Sequence, residues 1–519
     1  MTRIAILALA ASVGGCAMEP RYAVPKPPAA LAEPYDNAPS ATPLDEGALE
    51  TWWTVLSDPT LDALVADVLA HNLDIEEAKG RLRQVRAQRR VVRSDGLPTL
   101  NAAGLAQRQR FSENITFGAG GGPPPAGGAA GGASGGPPGG GQADGGQSGG
   151  GQQGGGFGDA SSLGMPASAF DFFQGSFDAS WEVDLFGGVA QRVRAADARV
   201  DRAVLAIADV RTSLIAEFVR DYLVVREIQE RLALARTTLA TAERTAGLSR
   251  EKERAGLVTV ADTTRTDAEV LAARALVPQL DVQLRQAAQR MAVLAGREPG
   301  AYRRTLDVVR AIPAAGPVAT GIPSELLLRR PDIRGAERLL AAATHEVSGA
   351  VRDLYPRLSF NAAVGSQADS VGSLFDWSSR FYRLAANLTA PIFDGGRRRA
   401  DIERRRGEVD EALANYRRTV LTAFREVEDA LVAYDRNMER VRLGAQTVER
   451  RQRASSVLRE QYRAGLVALI DVLAAERDLT SAQNAQANAR AAVVVEWVAL
   501  QKALGGGWAY RGNSPEEKQ

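Results

Sequence analysis

Cysteine is almost absent from this 519-residue chain. Cys16 is the single copy, so no intrachain disulfide can form and no thiolate cluster can hold a metal. Histidine is nearly as scarce: His71 and His345 lie far apart, neither with ligand-spaced neighbours, which argues against an imidazole metal site. Net charge is close to nil, with 63 Lys+Arg against 62 Asp+Glu, so no basic field exists to attract nucleic acid. The arginine runs Arg397-Arg398-Arg399 and Arg404-Arg405-Arg406 are interleaved with acids, the pattern of a solvated helix face. Also missing are a Ser/His/Asp order, a nucleophile elbow, a phosphate-binding loop and metal-ligand spacing. Without a plausible base–nucleophile pair, the chain is not expected to be an enzyme, and no cofactor is expected.

What the sequence does contain is repetition. Asn72-Leu73-Asp74-Ile75 leads to Leu97-Pro98, and Arg330-Pro331-Asp332-Ile333 leads to Tyr355-Pro356; Asp74 and Asp332, like Pro98 and Pro356, are 258 positions apart. Glu253-Arg254-Ala255-Gly256-Leu257-Val258 recurs as Tyr462-Arg463-Ala464-Gly465-Leu466-Val467, displaced by 209. One unit of helix, strand, loop, strand and long helical hairpin therefore occurs twice, which sets the architecture before any motif is read.

The amino terminus reads as a processing segment. Arg3 precedes an apolar run, Ile4 to Val13, too short to span a bilayer, and Val13-Gly14-Gly15-Cys16 closes it. Small residues before a cysteine resemble the bacterial lipobox, which predicts a signal peptide over 1–15 and an acyl chain on Cys16 that anchors without spanning. A plain secretory signal is the alternative. Ala17, not Asp, follows, which by the same resemblance favours the outer membrane. The proline-rich stretch 16–50 predicts an extended tether.

Strand signals come in two pairs, at 98–111 and 170–184, then at 356–368 and 381–391. In 170–184, Phe173, Phe177, Ala179, Trp181 and Val183 alternate with Gln174, Ser176, Asp178, Ser180 and Glu182. A two-residue period with one apolar and one polar face suits a membrane β-barrel and, equally, a half-buried soluble sheet. Four strands cannot close a barrel, and an open edge cannot sit in lipid, so a membrane reading requires several copies to pool strands. The Gly/Pro/Gln tract 118–158 cannot bury enough apolar surface to fold and predicts a disordered loop.

After each strand pair the period becomes helical. Leu413, Val420, Val427, Tyr434 and Val441 form a heptad series, and Val200, Val204, Ile207, Leu214, Phe218, Val225 and Leu232 a looser one. Long hairpins are expected over 188–296 and 396–505, turning at Ala255-Gly256-Leu257 and Ala464-Gly465-Leu466, with Pro278 expected to kink the first return helix and a further helix over 324–352. Val260, Asp262, Asp267, Leu469, Ile470 and Asp471, just beyond the turns, are candidates for the narrowest point of a duct; capping and packing of the turn is the alternative for each.

These residues resemble the outer-membrane efflux protein family of the TolC/OprM type, in its lipoprotein branch. The resemblance rests on Trp52-Trp53 with Asp58-Pro59, the Asn72 and Arg330 motifs, Phe393-Asp394-Gly395-Gly396, Tyr462-Arg463-Ala464-Gly465 and Ala503-Leu504-Gly505-Gly506-Gly507-Trp508. It implies an α+β membrane protein: a homotrimer sharing a twelve-stranded barrel continuous with a periplasmic α-helical barrel. The two Ala-Gly-Leu turns would contact a periplasmic adaptor below an outer-membrane lipid bilayer, with an inner-membrane RND-type pump beyond. Relatives place an apolar residue and then an acid as the closed iris. Ile470 fits the first, but the acid position holds Ala474, leaving Asp471 or Glu476 as substitutes. The implied organisation is a first repeat over 51–300, a second over 301–508 and a tail over 509–519. The implied function is the passive exit duct of a drug-efflux pump; a type I protein-secretion conduit and a lipid-anchored trimeric coiled-coil adhesin are the alternatives.

Overall fold

The computed structural model describes residues 22–23, 46–110, 170–318 and 326–509. The signal peptide, Cys16, most of the tether, the glycine-rich tract and nearly all of the tail lie outside the described residues. In chain order the main elements are α1 (Pro59–His71), α2 (Leu73–Ser94), β1 (Thr99–Gln109), β2 (Phe170–Val183), α3 (Gly188–Arg254) and α4 (Val260–Leu294). They are followed by α5 (Pro331–Arg352), β3 (Arg357–Ala368), β4 (Arg380–Thr389), α6 (Arg397–Arg463) and α7 (Leu469–Ala503).

The duplication holds residue for residue. Both long outgoing helices have 67 residues and both return helices 35, and all four boundaries are 209 positions apart, as in 188/397 and 294/503. Helices α2 and α5 have 22 residues each and start 258 apart, at 73 and 331. At 1.5 Å per residue a 67-residue helix is about 100 Å long. Helix α4 runs unbroken across Pro278. The helix expected over 324–352 is instead two, Leu326–Arg329 and Pro331–Arg352, because the residue before a proline is pushed out of the helical region; Arg330 has φ −73° and ψ 122°.

The chain forms two compact units that cut across the repeats, each repeat giving a hairpin to one and a strand pair to the other. In the helical unit, α3 packs against α2, α4, α5 and α7, and α6 against α5 and α7. Its core joins Trp52, Trp53, Phe218, Tyr222, Met291 and Trp497, with Trp52 edge-on to Trp497 at 5.6 Å. The heptad seam of α6 is buried through Tyr416, Val420, Ala423, Val427 and Ala430.

The second unit is an antiparallel sheet in the order β1-β2-β3-β4. Its register sorts the side chains by face. Ala102 lies opposite Phe177, and Phe177 opposite Val364; Trp181 lies opposite Phe360 and stacks on it at 6.2 Å. On the other face Gln174, Ser176, Asp178 and Ser180 oppose Gln367, Gly365, Ala363 and Asn361. Strand β1 departs from strict alternation at Leu105, which falls on the polar face opposite Gln174.

Candidate functional site: the sheet faces and the hairpin tips

The sheet is inside-out by the standard of a water-soluble protein. On its apolar face Phe177 is 57 % and Val364 58 % exposed, while on its polar face Ser176 is 7 % and Ala363 6 % exposed. Polar side chains bond along the sheltered face, Ser176 Oγ donating to Asp178 Oδ2 at 2.8 Å. Water would favour the reverse, whereas hydrocarbon outside and a wet interior favour this arrangement. Strands β1 and β4 are the two edges of the open sheet.

In the helical unit, both hairpin reversals are built alike. Gly256 has φ +73° and Gly465 φ +77°, and the next residue's N–H reaches back five positions: Leu257 to the Lys252 carbonyl and Leu466 to Gln461, each at 2.8 Å. This Schellman cap needs a left-handed residue, which glycine adopts without steric cost. Leu257 and Leu466 are left exposed. The return helices then restart on carboxylates. Asp262 Oδ2 accepts the Thr259 hydroxyl at 2.9 Å and the Thr259 N–H at 3.1 Å, and Asp471 Oδ2 accepts the Ala468 N–H at 3.3 Å. The Thr259 hydroxyl, then its N–H, hold the Asp262 carboxyl below the usual carboxylate range.

The remaining candidates separate by burial. Asp267 pairs with Arg250 across the first hairpin at 2.6 Å. Leu469 turns into the tip's own core with Tyr462, Val472 and Leu473. Glu476 is half-buried, accepting from Thr245 at 3.5 Å with Arg459 3.8 Å away, and burial pushes its carboxyl up against the pull of Arg459. Val260 and Ile470 are exposed, as is Ala474 one turn beyond Ile470.

Two further features lay outside the motif reading. Lys252 donates to the Tyr462 carbonyl at 2.6 Å and sits 3.9 Å over that tyrosine's ring, clasping the two tips together. At the opposite ends of α4 and α7, the repeated motifs lock onto one another. Asn72 Nδ2 donates to the Leu294 carbonyl at 2.7 Å, and its Oδ1 caps Ile75. In the second repeat Arg330, 258 positions on, donates to the Ala503 carbonyl at 3.0 Å, 209 positions beyond Leu294. Arg330 is buried, bonded twice to Asp332 (3.0 and 2.8 Å) and once to Glu426 at 2.8 Å. Gly296 and Gly505 close the same helices at positive φ, with the backbone of His71 and of Arg329 pressed against them. Once Asn72 is seen on Leu294, the two offsets carry the same contact over to Arg330 and Ala503.

An open sheet with its apolar face outward, carried on a chain with two long helical hairpins, defines a class: the subunit of an outer-membrane channel with a periplasmic helical domain. The chain belongs to the outer membrane efflux protein family, whose sequence profile matches residues 143–297 and 322–506. It is 31 % identical over 467 residues to the pyoverdine export outer membrane protein OpmQ of Pseudomonas aeruginosa, covering 89 % of each chain. It is 29 % identical over 507 residues to the toluene efflux pump outer membrane protein TtgC of Pseudomonas putida, covering 96 % of this chain and 93 % of TtgC. The solved outer-membrane channel OprN superposes with a TM-score of 0.78 at 29 % identity, over 95 % of this chain and all of the other. The chain is thus an outer-membrane efflux channel.

Proposed function

We propose that three copies pool their sheets into one twelve-stranded barrel and their hairpins into a helical duct, forming the passive last stage of a tripartite pump. The sheet is the observation that carries this reading: a face whose apolar side chains Phe177 and Val364 are exposed, an opposite face carrying the polar side chains, and two open edges. Each unpaired backbone group in hydrocarbon costs several kcal/mol, so the edges must meet other copies. Four strands enclose no lumen, whereas twelve fall within the range of membrane barrels.

Exposed Leu257 and Leu466 on their glycine turns suit docking onto a periplasmic adaptor, which would seat the duct over an inner-membrane pump of the RND class. Ile470 is favoured as the apolar constriction, since Leu469 is packed away and Asp471 is engaged by its helix. Pyoverdine and toluene, the cargoes in the relatives' names, are small and unlike each other. That favours small solutes over proteins as cargo and puts the choice of solute upstream of the duct. The duct catalyses nothing and needs no cofactor; an acyl chain on Cys16 would serve only to anchor it.

Loss of the protein should sensitise cells to hydrophobic drugs or other toxic solutes and raise their accumulation; unaltered tolerance and uptake across a broad panel would refute the export role. In mild detergent the protein should run at three times its chain mass. Cys16→Ser should abolish incorporation of labelled palmitate, and continued labelling would exclude the lipobox reading.

A further inference from the structure

Four helix ends carry the chain into or out of the strands: the last turns of α2 and α5 and the first turns of α3 and α6. Within the helical unit they are gathered together. Phe186 stacks on Tyr355 at 4.9 Å, Arg89 pairs with Asp197 at 2.5 Å, and Arg405 pairs with Glu346 at 2.6 Å. Most acids at this end are engaged locally: Asp184 accepts the Ala190 N–H at 2.8 Å, Asp353 pairs with Arg357 at 2.7 Å and Asp394 with Arg398 at 2.9 Å. Asp95 is exposed.

The arginines are different. Arg90, Arg93, Arg194, Arg397 and Arg399 are exposed, and none of their guanidinium groups has an ion pair among the described residues. Two of them defy helix electrostatics. Arg397 and Arg399 occupy the first turn of α6, at the positive end of the backbone dipole, and that turn contains no acid. Asp394, just before the helix, accepts the Gly396 and Arg398 N–H groups and pairs with Arg398, which leaves the Arg397 and Arg399 guanidinium groups without an acid of their own and open to an anion from outside. Among these arginines stand bare apolar side chains: Ile392 is 97 % and Phe393 91 % exposed, with Leu185 and Leu354 also uncovered.

We propose that this end of the helical unit is a seat for anionic glycerophospholipids in the leaflet of the outer membrane on the helical unit's side. The arginines would hold the headgroup phosphates by charge-assisted hydrogen bonds, and Ile392 and Phe393 would lie against the first acyl carbons. The surface combines what an interfacial seat needs, cations and apolar side chains interleaved at strand ends, and neither alone would select a charged lipid.

The test uses the full-length oligomer in nanodiscs of equal phosphatidylglycerol and phosphatidylcholine, with retained lipid counted by native mass spectrometry. The wild type should retain phosphatidylglycerol preferentially, and the preference should fall with salt. The variant Arg90→Gln/Arg93→Gln/Arg397→Gln/Arg399→Gln should lose it, at about fivefold per arginine that contacts a headgroup. Arg450→Gln/Arg453→Gln, exposed and about 80 Å along α6, should retain it. In lipid-free detergent the quadruple variant should melt no lower than wild type, since it removes cations from the wrong end of a helix. Equal retention of the two lipids, a preference that survives the four substitutions, or a lower melting point in detergent would overturn the proposal. So would selection of lipopolysaccharide over phosphatidylglycerol when both are offered. Conductance reports on the channel separately and does not depend on this result.

Discussion

The interlocking of the repeated motifs makes a graded prediction about three glycines with similar backbone conformations. Gly256, Gly505 and Gly296 have φ of +73°, +81° and +67°. They differ in what a methyl group would meet: nothing within 4 Å at Gly256, the backbone of Arg329 and Arg330 at 3.3 to 3.4 Å at Gly505, and the His71 carbonyl oxygen at 2.3 Å at Gly296. Alanine in the left-handed region costs about 1–2 kcal/mol, partly offset by about 0.4–1 kcal/mol from a less flexible unfolded chain, so Gly256→Ala should cost about 1 kcal/mol. Gly505→Ala adds a tight contact that a small shift relieves, for about 2 kcal/mol in all. At Gly296 ordinary contact needs about 3.5 Å, so the His71–Asn72 backbone must retreat by about 1 Å. That would break the 2.7 Å bond from Asn72 to Leu294 and loosen the Ile75 cap, at about 1 kcal/mol each. Gly296→Ala should therefore cost about 3–4 kcal/mol. Urea unfolding of the detergent-solubilised protein, followed by helical ellipticity, should rank the midpoints Gly256→Ala, Gly505→Ala, Gly296→Ala from highest to lowest. Asn72→Ala should cost less in the Gly296→Ala background than alone, because its bond is already lost. Equal midpoints for Gly256→Ala and Gly296→Ala, or full additivity with Asn72→Ala, would refute the latch.

Other expectations follow from the faces and pairs described above. Phe177→Arg, on the exposed apolar face, should cost about 2–4 kcal/mol and deplete the assembled barrel on semi-native gels, whereas Gln174→Arg on the opposite face should assemble normally and shift ion selectivity in planar bilayers. Lys252→Ala should free the two tips and raise single-channel conductance severalfold; an unchanged conductance would show that the clasp does not restrain them. Asp67 is bonded to Arg297 and, at 2.7 Å, to Tyr302; the Arg297 bond first, helped by Tyr302, lowers its carboxyl pKa to about 2. A carboxyl with a depressed folded-state pKa stabilises above its unfolded value near 4 and loses that contribution as pH falls toward 2. With Arg297 partly exposed, about 1–2 kcal/mol should disappear across that window. Asp67→Asn should flatten the acid limb of the stability–pH curve between pH 4 and 2.

Periodicity located the elements because each had one strong local signal. The Ala-Gly-Leu pairs fixed both hairpin ends, and alternation at 170–184 fixed β2 to within a residue. Proline was read less well. The sequence treats 324–352 as one helix, yet Pro331 constrains Arg330 and breaks it. Side chains that act across the fold were illegible. Arg226 is fully buried, donating to Gln229 at 2.7 Å, Val308 at 2.8 Å and Tyr222 at 2.6 Å, although its sequence neighbourhood is that of an ordinary helix arginine. Leu469 and Ile470 are adjacent and equally apolar, and only the packing of α7 tells which of them is left free. Asp262 and Asp471 were legible as acids near a turn, but their engagement by Thr259 and Ala468 depends on backbone geometry at the helix starts.

The two hairpins also differ in a way their matched lengths conceal. Helix α3 packs against α1, α2, α4, α5 and α7 and buries apolar side chains along most of its length, whereas α6 packs chiefly against α5 and α7. Beyond its seam α6 leaves Leu421, Val432, Met438, Leu443 and Val457 uncovered. Covering a fully exposed side chain of this kind is worth about 1.5–3 kcal/mol, so five that are roughly half exposed represent on the order of 5 kcal/mol per copy. That is comparable to the whole stability of a small domain. The open β1 and β4 edges make the same demand in the sheet unit, where backbone polar groups in lipid must find partners. Each unit alone therefore has a surface that another copy would satisfy, so in the proposed trimer association would complete the fold and would not be a later step taken by finished monomers.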